Sequence, residues 1–156
     1  MLQKTNKILS DFSNFLDAQG FAEHEGFRAQ TNNVEVIAWP QFVENSQELL
    51  STMNIWNYNI KIVNKSSRVV KLRRRFFKIV DDKGIVKEVD GEGVIGKQPE
   101  ILPNDFFEYQ SSVNLEAQSA IMGGHYVMEY VDDNEKFLVD IPSFSLDVPA
   151  NDYVLN

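Results

Sequence analysis

Six of the fifteen cationic residues of this 156-residue chain crowd into eleven positions, Arg68, Lys71, Arg73, Arg74, Arg75 and Lys78. In an extended strand, alternation puts Lys71, Arg73 and Arg75 on one face, provided that no bulge intervenes. Cations two residues apart on a strand stand about 7 Å from one another and repel unless something answers them. Cross-strand Glu or Asp residues would do so. The alternative is an acidic partner surface or a phosphate-containing ligand. A second anion signal follows at Gly91-x-Gly93-x-x-Gly96. This spacing matches the dinucleotide fingerprint, but that motif needs a helix directly after its last glycine. Pro99 and Pro103 stand there instead, and neither fits a helix interior. The segment is therefore expected to be a tight loop with positive φ at some glycines, whose amides could form an anion nest. Lys71, Arg73, Arg75, Gly91, Gly93 and Gly96 are the candidate anion-binding residues.

Other chemistry is poorly served. There are no cysteines and only two histidines, His24 and His125. That excludes disulfides, thiol nucleophiles and iron–sulfur clusters, and it leaves no transition-metal set without carboxylates. Asp81-Asp82 and Asp132-Asp133-Asn134-Glu135 lack calcium-loop spacing and read as hairpin tips. No serine lies in a Gly-x-Ser-x-Gly elbow. No enzymatic activity, cofactor or metal site is expected.

The elements that must position these residues fall into two parts. Over residues 1–26, Ile8, Phe12 and Phe15 recur at helical steps up to Gly20, which predicts an amphipathic helix. Its apolar face is a candidate partner interface, to be covered by the domain itself, by another copy in a homo-oligomer, or by another protein. Residues 27–156 read as a β-domain. Trp56, Tyr58, Ile60 and Ile62 alternate with Asn57, Asn59, Lys61 and Val63, giving one buried and one wet face. Further strands are expected over 34–43, 69–80, 85–89, 106–111, 126–131 and 136–141. A longer connection is expected over 45–52, with a helical turn near 48–50. Seven or eight strands with frequent turns predict an antiparallel β-sandwich. A net charge of −8 opposes nucleic-acid binding. No signal-like or membrane-spanning run is present, so a cytoplasmic location is expected.

Four motifs carry a family resemblance. Gly91-Glu-Gly-Val-Ile-Gly-Lys-Gln-Pro99, Pro103-Asn-Asp-Phe-Phe-Glu-Tyr109, Met122-x-Gly124-x-Tyr126 and Ile141-Pro-Ser-Phe-Ser-Leu146 occur in this order. In these the chain resembles the ApaG family from about Phe27 onward. It departs at Arg75-Phe76-Phe77, where the family usually has Arg-His-Trp or Arg-Arg-Trp, and at Gly123, where Arg is common. The resemblance implies an immunoglobulin- or fibronectin-III-like sandwich and a link to cobalt resistance and magnesium efflux. It also implies kinship with domains that act as protein-interaction modules. The expected function is a non-catalytic binding module for a protein partner. The alternative is a phosphate- or nucleotide-binding protein using the Arg73–Arg75 strand and the Gly91–Gly96 loop.

Overall fold

The computed structural model describes residues 26–48 and 51–150. The sequence-predicted helix, with Ile8, Phe12 and Phe15, lies outside the described residues. Nine strands occur among the described residues: β1 (Phe27–Thr31), β2 (Val34–Glu48), β3 (Ser51–Asn64), β4 (Val70–Asp81), β5 (Val86–Glu92), β6 (Glu100–Ile101), β7 (Phe106–Leu115), β8 (Ser119–Tyr130) and β9 (Lys136–Asp147). They form two antiparallel sheets, ordered β1-β2-β3-β7 and β5-β4-β8-β9, with β6 pairing with the start of β4. The all-β expectation is met.

The alternation read in β3 matches the structure. Trp56, Tyr58, Ile60 and Ile62 all enter the core. Facing them from the second sheet are Leu72, Phe77, Met122, Tyr126, Phe144 and Leu146, each no more than 2% exposed. Tyr58 packs against both Phe77 and Phe144, with ring centroids 5.7 and 6.0 Å apart. Trp56 adds a polar tie, its Nε1–H donating to the Asp147 carbonyl at 3.1 Å. Removing a side chain of this size from a sealed core costs about 3–5 kcal/mol.

Several boundaries differ from expectation. Phe27–Thr31 forms its own strand, joined to β2 by Asn32 and Asn33, both at positive φ. Asparagine tolerates that conformation, and the two-residue turn suits a hairpin. The connection expected over 45–52 is largely strand, because Asn45 pairs with Asn54 in the ladder and the two side-chain amides hydrogen-bond at 2.9 Å. Strand β8 begins at Ser119, well before the expected start at 126. The Gly123-Gly124 pair conceals its first half. Strand β9 runs through Pro142, tolerated because β9 is an edge strand whose register shifts there against β8.

Gly124 leaves no room for a side chain against the β4 backbone. A Cβ at this position would lie 1.9 Å from the Phe76 carbonyl oxygen, a backbone atom that cannot turn aside. Gly124→Ala is expected to lose about 2–4 kcal/mol of stability. Urea unfolding should show the midpoint fall with an unchanged slope.

Candidate functional site

Strand β4 carries one residue too many. Its register against β8 shifts between Leu72 and Arg74, so Arg73 has no partner of its own. Before the bulge Val70 and Leu72 face the core; after it Phe77 and Ile79 do. The phase has inverted. Lys71, opposite Glu129, therefore points outward, whereas Arg75, opposite the fully buried Tyr126, points inward. The condition attached to the shared face of Lys71, Arg73 and Arg75 is not met.

The glycine loop nonetheless meets this strand. On one edge of β4, β5 pairs from Arg74 onward and β6 pairs at Val70 and Lys71. Residues 93–99 fill the gap between them. The Arg73 carbonyl accepts from Gly93 N–H at 2.8 Å and Gln98 Nε2 at 3.0 Å, and Leu72 N–H donates to the Pro99 carbonyl at 3.0 Å. Arg75 closes the clamp, its Nη1 donating to the Gly93 carbonyl at 2.8 Å and the Glu92 carbonyl at 3.2 Å. Its guanidinium lies against Gly91, where a Cβ would be 3.2 Å from Nη1. Gly93 (φ 61°) could not carry a Cβ either, because the Lys97 carbonyl would be 2.1 Å away. Val94 and Lys97 exchange backbone hydrogen bonds around Ile95 and Gly96, both at positive φ. Ile95 holds a conformation that β-branched residues avoid. Val94 is driven fully into the core. Thus Arg73, Arg75, Gly91, Gly93 and Gly96 come together, and the amides of Gly93, Val94 and Lys97 donate within the protein.

Carboxylates stand close to the cations. Arg73 Nε is 3.3 Å from Glu129, and Arg74 is 3.2 Å from Asp90 and 4.0 Å from Glu92. Lys71 faces Glu129 across one ladder and Glu100 across the other. Lys71, Arg73, Glu100, Glu129 and Asn134 line a shallow polar depression of about 140 Å³. Arg68 stacks on the Tyr130 ring at 3.6 Å and binds Asp132 through Nε at 2.9 Å. That hydrogen bond holds the Asp132 carboxyl below its ordinary pKa. The hairpin-tip acids are structural in part: Asp81 Oδ1 accepts from the amides of Lys83 and Ile85, and Asp133 Oδ1 from that of Glu135. Among the described residues no cluster of three or more His, Asp or Glu side chains is placed to hold a metal ion.

Beneath Arg75 lies a buried tyrosine cluster. The hydroxyls of Tyr109 and Tyr126 hydrogen-bond to each other. Burial pushes the phenols of Tyr58, Tyr109 and Tyr126 above the usual value, with Arg75 a smaller opposing influence on each.

A second surface emerges that alternation alone does not reveal. On the outer face of the second sheet, Val86, Val80 and Ile121 form a cross-strand row, exposed by 51%, 37% and 61%. Alongside, Phe76 stacks on His125 at 5.1 Å. Val80 and Ile121 line two adjoining clefts. One, of about 400 Å³, is rimmed by Asp81, Asp82 and Asp147. The other, of about 350 Å³, is walled by Phe76 and Lys78 and floored by Gly123 and Gly124. The available signal is Ala120-Ile121-Met122, where apolar residues occupy both faces of a strand. His24 lies outside the described residues.

Two predictions follow from the clamp and the cluster. Arg75→Met removes a charged donor to two carbonyls, so it should cost about 1.5–3 kcal/mol and speed amide exchange over residues 93–98. The tyrosines set an alkaline limit. Between the unfolded phenol pKa near 10 and the raised folded value, the unfolded state binds fewer protons. Stability is intact below pH 10 and falls above it, by up to about 1.4 kcal/mol per pH unit for each phenol. Absorbance at 295 nm should show these three phenols ionising only as the protein unfolds.

Comparison with known proteins agrees with the motifs. The ApaG domain model matches residues 44–130. Protein ApaG of Rhizobium leguminosarum bv. trifolii is 43% identical over 130 residues, covering 83% of this chain and 99% of that protein. Protein ApaG of Parvibaculum lavamentivorans is 43% identical over 123 residues, covering 79% and 94%. An X-ray structure from the Northeast Structural Genomics Consortium superposes with a TM-score of 0.73 at 30% identity, covering 80% of this chain and 94% of that one. The putative ApaA protein from Bordetella pertussis does so at 0.67 and 27%, covering 80% and 98%. With its glycine loop, its Met122-to-Tyr126 strand and its final strand all set in one sandwich, the chain belongs to the ApaG family.

Proposed function

We propose that the chain is a non-catalytic binding module that receives a segment of another protein on the outer face of the β5-β4-β8-β9 sheet. The carrying observation is the exposed row Val86–Val80–Ile121 beside two clefts. Contiguous apolar side chains left in water favour burial against a partner, at roughly 25 cal/mol per Å² removed from solvent. Asp81, Asp82 and Asp147 rim the larger cleft, and the whole chain carries −8. The complementary ligand is an aliphatic or aromatic side chain flanked by Lys or Arg. On this reading the sandwich, fibronectin-III-like and cytoplasmic, takes part in magnesium or cobalt handling only through such a partner.

The polar depression at Lys71 and Arg73 supports the alternative, a phosphate-containing ligand held beside the glycine loop. Pyrophosphate titration separates the two readings. Amide shifts confined to residues 71–78 and 91–98 would favour the anion; none at millimolar concentration would dispose of it.

Selection of displayed random peptides on the immobilised protein tests the docking face. Enriched peptides should pair a large apolar residue with Lys or Arg. Ile121→Glu should weaken their binding at least tenfold with little loss of stability, while Leu138→Glu on the same sheet leaves it within about twofold. Equal binding by Ile121→Glu and the unaltered protein would reject the proposal.

A further inference from the structure

Among the described residues, β1 and β7 end the first sheet, and β5 and β9 end the second. Three of these edges are guarded. β1 is five residues long and lies against β9, where Asp140 N–H donates to Thr31 Oγ1 at 3.1 Å. β9 carries Pro142 and a register shift. β5 bears Lys87, Glu88, Asp90 and Glu92. Short length, proline, irregular register and charge are the usual means of keeping a foreign strand away. β7 has none of them. Its ten residues hold one charge, Glu108, and no proline, and they pair with β3 without a shift.

The direction of its outer backbone groups can be counted. Asn64 N–H donates to the Asp105 carbonyl at 2.9 Å, so the even-numbered residues of β3 turn their backbone groups toward β7. These are Trp56, Tyr58, Ile60 and Ile62, opposite Val113, Ser111, Tyr109 and Phe107. The alternate residues Gln110, Ser112 and Asn114 therefore point N–H and C=O off the edge, and all three are exposed. Among the described residues no loop or turn hydrogen-bonds to these groups.

Beneath this edge the second sheet extends one strand further. Tyr58 on β3 packs against Phe77 on β4 and Phe144 on β9, the two strands that flank β8. β3 thus lies over β8 and β7 over β4, which leaves β5 beyond the end of the first sheet. Burial marks the step. Lys87 and Val89 pair with Ile79 and Phe77 and share their core-facing side. Ile79 and Phe77 are sealed, but Val89 is only partly buried and Lys87 is exposed. A cleft of about 190 Å³ opens here, lined by Met53, Ile79, Ile85, Leu115 and Lys87.

We infer that this step is a strand-addition site: an extended segment of another protein joins β7 as a fifth strand of the first sheet and lies over the inner face of β5. Neighbouring strands stand about 4.8 Å apart and packed sheets about 10 Å, so a strand added to β7 falls above β5. The backbone groups of Gln110, Ser112 and Asn114 supply the ladder, and the side chains below supply selectivity. The segment is about five to seven residues long. It is apolar at the alternate positions that face Val89 and the cleft, with one carboxylate to meet Lys87. A second copy does not fit. Two copies joined through β7 would each drive β5 into the space that the other's β4 holds. The site is separate from the outer-face clefts and prefers the opposite charge, so it does not depend on the function proposed above.

Amide exchange in the isolated protein is the first test. Gln110, Ser112 and Asn114 should exchange fast, whereas Tyr109, Ser111 and Val113 are protected. Slow exchange at the outward amides, at any protein concentration, would overturn the inference, because the edge would already be taken by the chain itself or by a second copy. The second test titrates seven-residue peptides with valine at alternate positions and either Glu or Lys as the central inward residue. The Glu peptide should slow exchange at Gln110, Ser112 and Asn114, shift the amides of Lys87 and Val89, and bind about fivefold more tightly than the Lys peptide, the scale of one exposed ion pair. Ser112→Pro removes only an outward donor, which an edge strand tolerates, and should weaken the Glu peptide at least tenfold. Lys87→Glu, which leaves the ladder intact, should reverse the preference between the two peptides. Ile121→Glu should leave both peptides unaffected. Failure of either peptide to bind, or undiminished binding by both Ser112→Pro and Lys87→Glu, would reject the site.

Discussion

The extra residue in β4 governs much of what surrounds it. A strand buried on one side ordinarily keeps its inward side chains two apart along its whole length. Inserting Arg73 lets the chain present Val70 and Leu72 to the core at one end and Phe77 and Ile79 at the other. The inversion swings Arg75 inward, toward Tyr126. It also opens a gap on the strand's edge, leaving the Arg73 carbonyl and the Leu72 amide in need of partners. The loop from Gly93 to Pro99 supplies them. The motif that most resembles a phosphate cradle is thus also the plug of a break in a sheet. Its glycines answer to specific obstructions, the Arg75 guanidinium at Gly91 and the Lys97 carbonyl at Gly93.

What could be read from the residues depended on how local the cause was. The β3 alternation was legible because β7 follows its pleat without a shift from Asn54 to Val63, and β2 does so from Trp56 to Asn64. Positive φ at Gly93 and Gly96 was legible from residue type. Carboxylates beside the arginines were foreseeable as a class, though not as Glu129, Asp90 and Glu92 in particular. The length of β4 made a bulge plausible, but its place was not legible, because nothing in Lys-Leu-Arg-Arg-Arg-Phe-Phe says which residue lacks a partner; the register of β8 decides it. The early start of β8 was hidden by two glycines that local propensity disfavours in strands. Their place is set by the Phe76 carbonyl behind Gly124 and the Ser143 side chain beside Gly123, contacts made across strands.

The functional reading follows from the open outer face of the second sheet. Leaving apolar groups in water costs free energy that contact with a partner recovers. This face leaves Val80, Val86 and Ile121 in solvent. The acidic rim around Ile121 gives that open face a sign as well as a shape. The glycine-floored cleft beside it is available because Gly123 and Gly124 bring no side chains to fill it.

One consequence concerns β5, the outermost strand of the sheet that presents this face. Its unpaired ladder groups would ordinarily invite a foreign strand. Along its seven residues it carries Lys87, Glu88, Asp90 and Glu92, so a second copy laid against it in antiparallel fashion would bring an excess of acids into contact. Such charges deter sheets from fusing edge to edge. The molecule can thus display greasy side chains on the flat of a sheet while its rim resists the cross-β stacking through which such proteins are lost as aggregate.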